Sequence, residues 1–281
     1  MNKIKNKTKR NFIQLMAAVL ANGYVIGYHR GKIFTGGSKA FCVPVLNCYS
    51  CPGALGACPI GSLQSVLGGY ERRIPFYVLG LLMLFGIFLG RAVCGFLCPF
   101  GWVQDLLFQI PSKKLSVPKK ADRCLRRLKY AVLGLLVILL PLLVRDAFGF
   151  GETWFCKYVC PAGTLGAGLP LLIKNESLRQ AIGALFGWKA AVLAIILLLS
   201  VVIYRPFCKY LCPLGAFYGL FNRFSLYRLT VDEKRCIGCG LCEKACKMGV
   251  EVRKEINSPE CIRCGDCVEA CPEKCIQRKC G

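Results

Sequence analysis

The sequence predicts a mainly α-helical integral membrane domain with four spanning helices, followed by a small α+β domain at the C-terminus. Of the 281 residues, 55% are hydrophobic. These residues are concentrated in separate runs, and the mean hydropathy of the chain is +0.48. The last part of the chain has no such run and is rich in charge and cysteine instead. We therefore expect a membrane domain over residues 1–229 and a second domain over residues 230–281.

Four apolar runs are the candidate membrane spans, at about residues 12–28, 74–90, 130–148 and 188–204. Each approaches the length of about 17–25 residues that a spanning helix needs. None has the polar stripe of a surface helix. The first run follows a basic N-terminus, as in a signal peptide, but it has no clear small-x-small cleavage site. We therefore expect this run to be retained as a span.

The basic residues predict the orientation of the spans. The chain has 38 Lys and Arg against 15 Asp and Glu, and 28 of the basic residues lie before residue 231. Residues 1–10 and 91–129 are especially basic, and such segments favour the cytoplasmic side. We expect a multi-pass protein of the cell membrane with both termini in the cytoplasm and with outer loops near residues 29–73 and 146–187. Because the excess charge belongs to the membrane part, nucleic acid is not expected as a partner.

Cysteine is the most unusual residue, with 21 copies. Disulfide-rich proteins are short and loop-rich and lack long apolar helices, whereas the cysteines here recur at the spacings of metal ligands. The chain reads CIGCGLCEKACK from residue 236 and CIRCGDCVEACP from residue 261. Each segment is Cys-x2-Cys-x2-Cys-x3-Cys, the run of bacterial two-cluster ferredoxins. Zinc also uses such cysteine pairs, but it does not require two consecutive runs.

The ferredoxin run also predicts which cysteines share a cluster, because the fourth cysteine of each run binds the other cluster. We expect one [4Fe–4S] cluster at the first tail set, which is Cys236, Cys239, Cys242 and Cys271. The second cluster belongs to the second tail set, which is Cys261, Cys264, Cys267 and Cys246. Residues 230–281 are therefore predicted to form a ferredoxin domain with two clusters.

A further cysteine motif follows each predicted span. Residues 58–61 read CPIG, 94–101 CGFLCPFG, 156–163 CKYVCPAG and 208–215 CKYLCPLG. Proline favours the first position of a helix, so each Cys-Pro places a thiolate at a helix N-terminus, whose partial positive charge suits an anionic cluster. Cysteines that only pack among helices are the alternative. Packing does not explain four copies with the same proline and glycine.

The predicted topology determines which motifs can meet. An inner set falls on the cytoplasmic side and would hold a third cluster: Cys94, Cys98, Cys208 and Cys212. An outer set on the other side would hold a fourth cluster, with Cys58, Cys156 and Cys160 as three ligands. For its fourth ligand we prefer Cys51 and keep Cys48 as the alternative. Cys42, Cys124, Cys275 and Cys280 are not assigned.

These motifs resemble the NapH-type membrane polyferredoxins, a group of 4Fe–4S binding proteins that includes the membrane part of NosR and the CcoG/RdxA proteins. The resemblance covers residues 58–281 and rests on CGFLCP at 94–99, CKYLCP at 208–213 and the paired ferredoxin runs. It implies an electron-transfer protein that often takes electrons from a quinol and passes them to a partner reductase. Other members are linked to copper reduction or to metalloenzyme maturation.

The expected function is a relay of electrons through [4Fe–4S] clusters, between a cytoplasmic or quinone donor and a partner reductase or dehydrogenase. With His29 as the single histidine, a bis-histidine haem is not expected. There is no Gly-x-Gly-x-x-Gly segment for NAD or flavin. Two alternatives stay open: a self-contained quinol dehydrogenase or metal-ion reductase, and a redox sensor or maturation factor. Because the hydrocarbon core is about 30 Å thick, either the cysteine loops sink inward or a quinone bridges the gap.

Overall fold

The computed structural model describes residues 2–71 and 73–280, with side chains from residue 8 onward. The chain is mainly helical. Its helices before residue 145 are α1 (Asn2–Ala21), α2 (Val25–Arg30), α3 (Pro59–Leu67), α4 (Phe76–Leu89), α5 (Ala92–Phe96), α6 (Pro99–Leu107), α7 (Lys119–Ala131) and α8 (Leu140–Leu143). A 3₁₀ turn at Gly37–Ala40 and a π-helical segment at Val132–Leu139 complete this half.

The second half is also helical, and the only two strands of the described residues lie in its last part. The helices are α9 (Pro161–Gly163), α10 (Leu169–Lys174), α11 (Glu176–Gln180), α12 (Ala184–Val202), α13 (Pro206–Tyr210), α14 (Pro213–Phe221), α15 (Leu241–Ala245), α16 (Val252–Glu255) and α17 (Asp266–Ala270). The strands are β1 (Tyr227–Val231) and β2 (Ile276–Cys280). Two π-helical segments, Phe155–Val159 and Thr164–Gly168, lie on either side of α9.

Among the described helices, α12 alone is both long and apolar enough to cross a membrane. Only 17% of its most apolar stretch is buried within the protein. Helix α4 is also apolar, but it has only 14 residues. At about 1.5 Å per residue, such a helix is shorter than the hydrocarbon core is thick. Helix length therefore does not show the four spans expected from the sequence.

The other two predicted spans are irregular helices. In the first run, α1 ends at Ala21 and α2 begins at Val25, and the Tyr24 amide donates a hydrogen bond to Gly53 of the following loop at 3.1 Å. In the third run, α7, the π-helical segment and α8 follow one another without leaving helical backbone angles. Pro141 near its end has no amide hydrogen for a regular helical bond.

One hydrophobic core runs through the helical part of the chain. It contains cysteines of all four Cys-Pro motifs, together with Val93, Phe100, Phe207 and Leu214 and other apolar residues. The cysteine loops are therefore folded into the interior of the helical part. The two predicted membrane sets share this core.

The C-terminal part closes on itself through one antiparallel pair of strands. Val231 of β1 pairs with Ile276 of β2, and Tyr227 pairs with Cys280 at the other end. This tail packs against the helical part through buried polar contacts. The Arg263 guanidinium donates to the carbonyl oxygens of Leu89 at 3.1 Å and of Asn222 at 2.6 Å.

Candidate metal centres

The four Cys-Pro motifs fold alike. Cys58, Cys98, Cys160 and Cys212 each precede a helix that begins with the proline, and their ψ angles lie between 107° and 127°. The residue before a proline favours this extended conformation because of the clash with the proline ring. The sequence-based prediction that each Cys-Pro begins a helix is confirmed.

The glycine of each motif also has a structural role. Its amide hydrogen points at the cysteine three residues earlier, and in the last copy the distance from Gly215 N to Cys212 Sγ is 3.4 Å. A Cβ atom at Gly163 would lie 3.5 Å from Cys48 Sγ, and one at Gly61 would lie 3.8 Å from Cys156 Sγ. Glycine therefore leaves open the space between the thiols that a cluster would occupy.

The inner set comes together as the sequence predicts. Its four cysteines are all buried in the common core. Burial, followed by the charges of Cys208, Cys94 and Cys98, raises the pKa of the Cys212 thiol. The other three thiols are therefore within electrostatic reach of Cys212, and bound iron would favour the ionised form of its ligands. The residues thus fit a cluster with four thiolate ligands.

Two arginines fix the inner set in a two-fold arrangement. Arg91 stands three residues before Cys94 and donates to the carbonyl oxygen of Cys208 at 3.0 Å. Arg205 stands three residues before Cys208 and donates to the carbonyl oxygen of Cys94 at 2.6 Å. Both guanidinium groups are fully buried. Each arginine binds the backbone of the opposite motif, so the second and fourth copies of the motif pair with each other.

Buried carboxylates balance these arginines. Arg205 Nε lies 2.7 Å from Asp105 Oδ1, and Arg91 Nη1 lies 3.0 Å from Glu260 Oε2 of the tail. Burial alone would raise the pKa of Asp105, but Arg205 and then Arg10 hold it below its usual value. Such pairing is what permits charges in a protein interior.

Two buried glutamines occupy equivalent positions in the two sets. Gln104 donates from Nε2 to Cys208 Sγ at 3.1 Å, and its Oε1 accepts the amide hydrogen of Phe207. Gln64 makes the same two contacts: it donates to Cys156 Sγ at 3.3 Å and accepts the amide hydrogen of Phe155. Each glutamine stands six residues after the Cys-Pro cysteine of its motif. The first and third motifs therefore pair in the same way as the second and fourth.

The outer set lines a cavity of about 810 Å³. Its four cysteines are Cys48, Cys58, Cys156 and Cys160. Burial raises the pKa of Cys58 to about 11 and that of Cys160 to about 12, the latter also through the charges of Cys58 and Cys48. Lys189 donates to the Cys156 carbonyl oxygen at 3.3 Å, so a cation stands beside these thiols. This set also fits a cluster.

The structure places Cys48, the alternative, in the outer set, and not Cys51, which the sequence analysis preferred. Cys51 packs between Ala54 and Ala167, outside the cavity. Its sulfur lies 2.9 Å from the Tyr28 hydroxyl oxygen and 3.4 Å from Asn22 Oδ1. The break between α1 and α2 brings Asn22 to this position, and hydropathy gives no sign of the break.

The two tail sets come together as the ferredoxin runs predict. One pocket is lined by Cys236, Cys239, Cys242 and Cys271, and another by Cys246, Cys261, Cys264 and Cys267. Left-handed glycines, Gly240 with φ 69° and Gly265 with φ 86°, begin the short helices that carry the third cysteine of each run. Within the described part of the chain, no three Cys, His, Asp or Glu side chains are close enough to bind a single metal ion. Wider sets suit a cluster, in which each cysteine binds a different iron.

Sequence analysis did not identify Arg91, Arg205, Gln64 and Gln104. A signal for them exists in the repeat itself. The second and fourth motifs both begin with arginine, as RAVC and RPFC. The first and second both have glutamine six residues after Cys-Pro. The meaning of these coincidences depends on which motifs pair, and only the structure gives that pairing.

Comparison with known proteins finds two kinds of 4Fe–4S domain in the chain. A 4Fe–4S binding domain model matches residues 74–118, 130–175 and 185–229, each of which contains one motif with two cysteines. A 4Fe–4S dicluster domain model matches residues 228–272. No solved structure matches the chain.

Three relatives each match about three fifths or more of the chain. The uncharacterised proteins MJ0749 and MJ0750 of Methanocaldococcus jannaschii are 29% and 30% identical over 60% and 63% of the chain, and over 56% and 67% of their own lengths. The methylamine utilization ferredoxin-type protein MauN of Paracoccus denitrificans is 35% identical over 66% of the chain and 58% of its own length. The chain thus spans little more than half the length of MJ0749 and MauN.

The fold, the cysteine sets and the matched domains define a helical protein with 4Fe–4S binding domains. The chain belongs to the polyferredoxin-like family of 4Fe–4S proteins, as the resemblance in its motifs indicates.

Proposed function

We propose that this chain is a multi-pass membrane protein that relays electrons from its cytoplasmic tail to the outer set through four [4Fe–4S] clusters. Its proposed domains are a membrane part, residues 1–229, and a ferredoxin tail, residues 230–281. One observation carries the proposal: the inner set contacts the tail on one side and shares a core with the outer set on the other. Each cluster, when bound, accepts and releases one electron at a time.

The distribution of polar and apolar side chains supports membrane insertion. On α1, Phe12 and Leu20 are 62% and 69% exposed, whereas Arg10 and Gln14 are buried. Gln14 donates to the Gly95 carbonyl oxygen at 2.9 Å, so its polar group faces the inner set. Helix α1 thus exposes apolar side chains and buries polar ones, an arrangement that is favourable in lipid and unfavourable in water.

The first junction of the relay lies between the second tail set and the inner set. Gly95 stands between Cys94 and Cys98 of the inner set, and a Cβ atom there would lie 2.4 Å from the carbonyl oxygen of Ile262. Ile262 follows Cys261, a member of the second tail set. The ligand loops of the two sets therefore touch backbone to backbone, which supports direct electron transfer between them.

The second junction lies between the inner and outer sets, at Tyr218. This side chain is fully buried, and its hydroxyl donates to the Pro44 carbonyl oxygen at 2.9 Å. Burial, followed by the charges of Cys94 and Cys98 and then Cys58, raises the pKa of its phenol. One side chain is thus within electrostatic reach of both sets. This proximity supports electron transfer between the inner and outer sets through the Tyr218 ring, without a bridging quinone.

The first tail set is the proposed point of exchange with a soluble redox partner. Cys239 is exposed, and the neighbouring Ile237 is 66% exposed. The second tail set is more enclosed, because Tyr204 and Met248 pack beside its cysteines. Electrons would therefore enter or leave the tail at the first set. A partner reductase or dehydrogenase subunit is the expected protein at one end of the relay.

Electron transfer into closed vesicles tests the relay. The protein is reconstituted in liposomes that contain ferricyanide, and a membrane-impermeant reductant is added outside. We expect loss of the ferricyanide absorbance with the wild type and with Cys124→Ala, because Cys124 is exposed and belongs to no set. Cys156→Ala, which removes a ligand of the outer set, should abolish the reaction. Equal rates for Cys156→Ala and the wild type would contradict the relay.

A second candidate function is a terminal reductase that acts on quinone or on a metal ion. The observation that favours it is the cavity of the outer set, which also has Lys39, Lys157 and Lys189 in its wall. Steady turnover of a quinol analogue or of Cu(II) by the pure protein would support this function. If the protein is only an electron relay, turnover requires an added redox partner.

A further inference from the structure

The first tail set has a fifth cysteine beside it. After Cys271 the chain turns back through Lys274, whose φ of +48° is left-handed. A residue outside the turn stabilises it: the Asp232 amide donates a hydrogen bond to the carbonyl oxygen of Cys275 at 2.8 Å. Cys275 is thereby folded onto the cysteine four residues before it.

The position of Cys275 is that of a ligand and not of a surface thiol. Its sulfur lies 3.2 Å from Cys271 Sγ, and the residue is 4% exposed. It lines the same pocket as Cys236, Cys239, Cys242 and Cys271. Five thiols therefore face a pocket where a cubane cluster needs four.

The second tail set has no such fifth thiol. Cys246 is the equivalent of Cys271, and the residue four positions after it is Val250. The Val250 amide donates to Cys246 Sγ at 3.4 Å, and its side chain is buried. The two tail sets thus have the same spacing of ligands, but only the first has an additional cysteine four residues after its last ligand.

We propose that Cys275 is a reserve ligand that replaces Cys271 on the same iron of the first tail cluster. This inference rests on the proposed ligand set of that cluster. In the exchange, the Cys275 thiol releases its proton and its sulfur bonds to iron, while the iron–sulfur bond to Cys271 breaks and that thiolate takes up a proton. No electron is gained or lost, so no oxidant is required.

A reserve ligand has a clear use at this site. The first tail set is the exposed one, and its Cys271 is partly open to solvent. Exposed cysteines are the ones that oxidation or alkylation reaches first. With Cys275 in place, damage to Cys271 leaves four intact thiols for the cluster.

Iron content and EPR spectra of the full-length protein, purified without oxygen, test the proposal. We expect Cys271→Ala to keep the iron of the wild type and to show an altered first-set signal. Cys271→Ala combined with Cys275→Ala should lose about four irons per chain. If Cys271→Ala alone loses as much iron as the double variant, the proposal is overturned.

The matched control is Cys246→Ala, which has no thiol four residues on and should lose about four irons. Adding Val250→Cys to that variant should restore them, and failure to do so would count against the exchange. If Cys246→Ala and the double variant both keep all their iron, the ligand sets themselves are wrong, and with them the proposed function.

A second measurement leaves all four ligands intact. During treatment with iodoacetamide, Cys275→Ala should lose the first-set EPR signal several-fold faster than the wild type. Cys280→Ala, which changes an exposed cysteine at the end of β2, should behave as the wild type does. Equal rates of loss in Cys275→Ala and the wild type would overturn the proposal.

Discussion

Gln104 and Gln64 stand at the same position in two successive motifs, and each donates a hydrogen bond to the sulfur of a different cysteine set. Hydrogen bonds to the sulfurs of a cluster are among the factors that set its reduction potential. They favour the reduced form, because that form carries more negative charge. Each glutamine can therefore be changed while the other site serves as an internal reference.

Replacing Gln104 with leucine should lower the midpoint potential of the inner cluster and leave the outer cluster unchanged. If the hydrogen bond differs by about 1 kcal/mol between the two oxidation states, the shift is on the order of 40 mV. Gln64→Leu should lower the midpoint potential of the outer cluster and leave that of the inner cluster unchanged. EPR redox titration measures both potentials, and a shift at the wrong site, or at neither, would contradict the pairing of motifs.

Among individual residues, the sequence identifies those for which ligation or backbone geometry requires one particular amino acid. Cys98, Pro99 and Gly101 could be identified because ligation, helix initiation and open space require them. Arg205 could not, because its role is to bind the carbonyl oxygen of Cys94, in a motif far away along the chain. The choice between Cys48 and Cys51 failed for a similar reason. It depended on contacts made by Tyr28 and Asn22.

At the scale of elements, the tail is held on the helical part by buried charges. Glu260 pairs with both Arg91 and Lys129, and the two basic side chains are completely buried. Glu260 directly precedes Cys261, so this contact also positions a ligand of the second tail set.

Glu260→Gln should loosen the tail because it leaves two buried cations without their anion. Breaking such a pair costs about 3–5 kcal/mol. Hydrogen exchange of β1 and β2 should rise accordingly. The matched control is Glu251→Gln, whose partners Lys119 and Lys254 are 91% and 80% exposed, so its effect should stay below about 1 kcal/mol. Equal protection of the strands in both variants would contradict this role of Glu260.

Helix existence was easier to predict than helix form. The fourth apolar run is α12, which begins at Ala184, before the predicted start at residue 188. Helix α4 lies within the second predicted run but has 14 residues. Hydropathy does not reveal the break at Asn22–Tyr24 or the π-helical segment at Val132–Leu139. They depend on hydrogen bonds to distant loops and on Pro141.

At the scale of the whole molecule, the relay depends on the short path between the inner and outer sets. Sequence analysis assigned the sets to opposite sides and left a gap as wide as the membrane. It kept two ways to close that gap, loops that sink inward or a bridging quinone, and could not choose between them; in the structure the loops of both sets share one core with Tyr218. That packing depends on tertiary contacts such as the hydrogen bond from Tyr218 to Pro44.

Tyr218→Leu should slow electron transfer from the inner to the outer cluster several-fold, because an aromatic ring is removed from the path. Tyr218→Phe keeps the ring and loses only the hydrogen bond, so its rate should stay near that of the wild type. Rapid-mixing reduction followed by freeze-quench EPR measures the rate at each cluster. An unchanged rate in Tyr218→Leu, with both potentials unaltered, would exclude the ring from the path.

The central claim is that the two cysteine sets of the helical part hold clusters in addition to the two of the tail. Iron and sulfide content, measured without oxygen on the full-length protein, tests it most directly. The expected result is about sixteen irons per chain, falling to about twelve in Cys94→Ala and again to about twelve in Cys58→Ala. About eight irons per chain in the unchanged protein would contradict the claim and leave only the clusters of the tail.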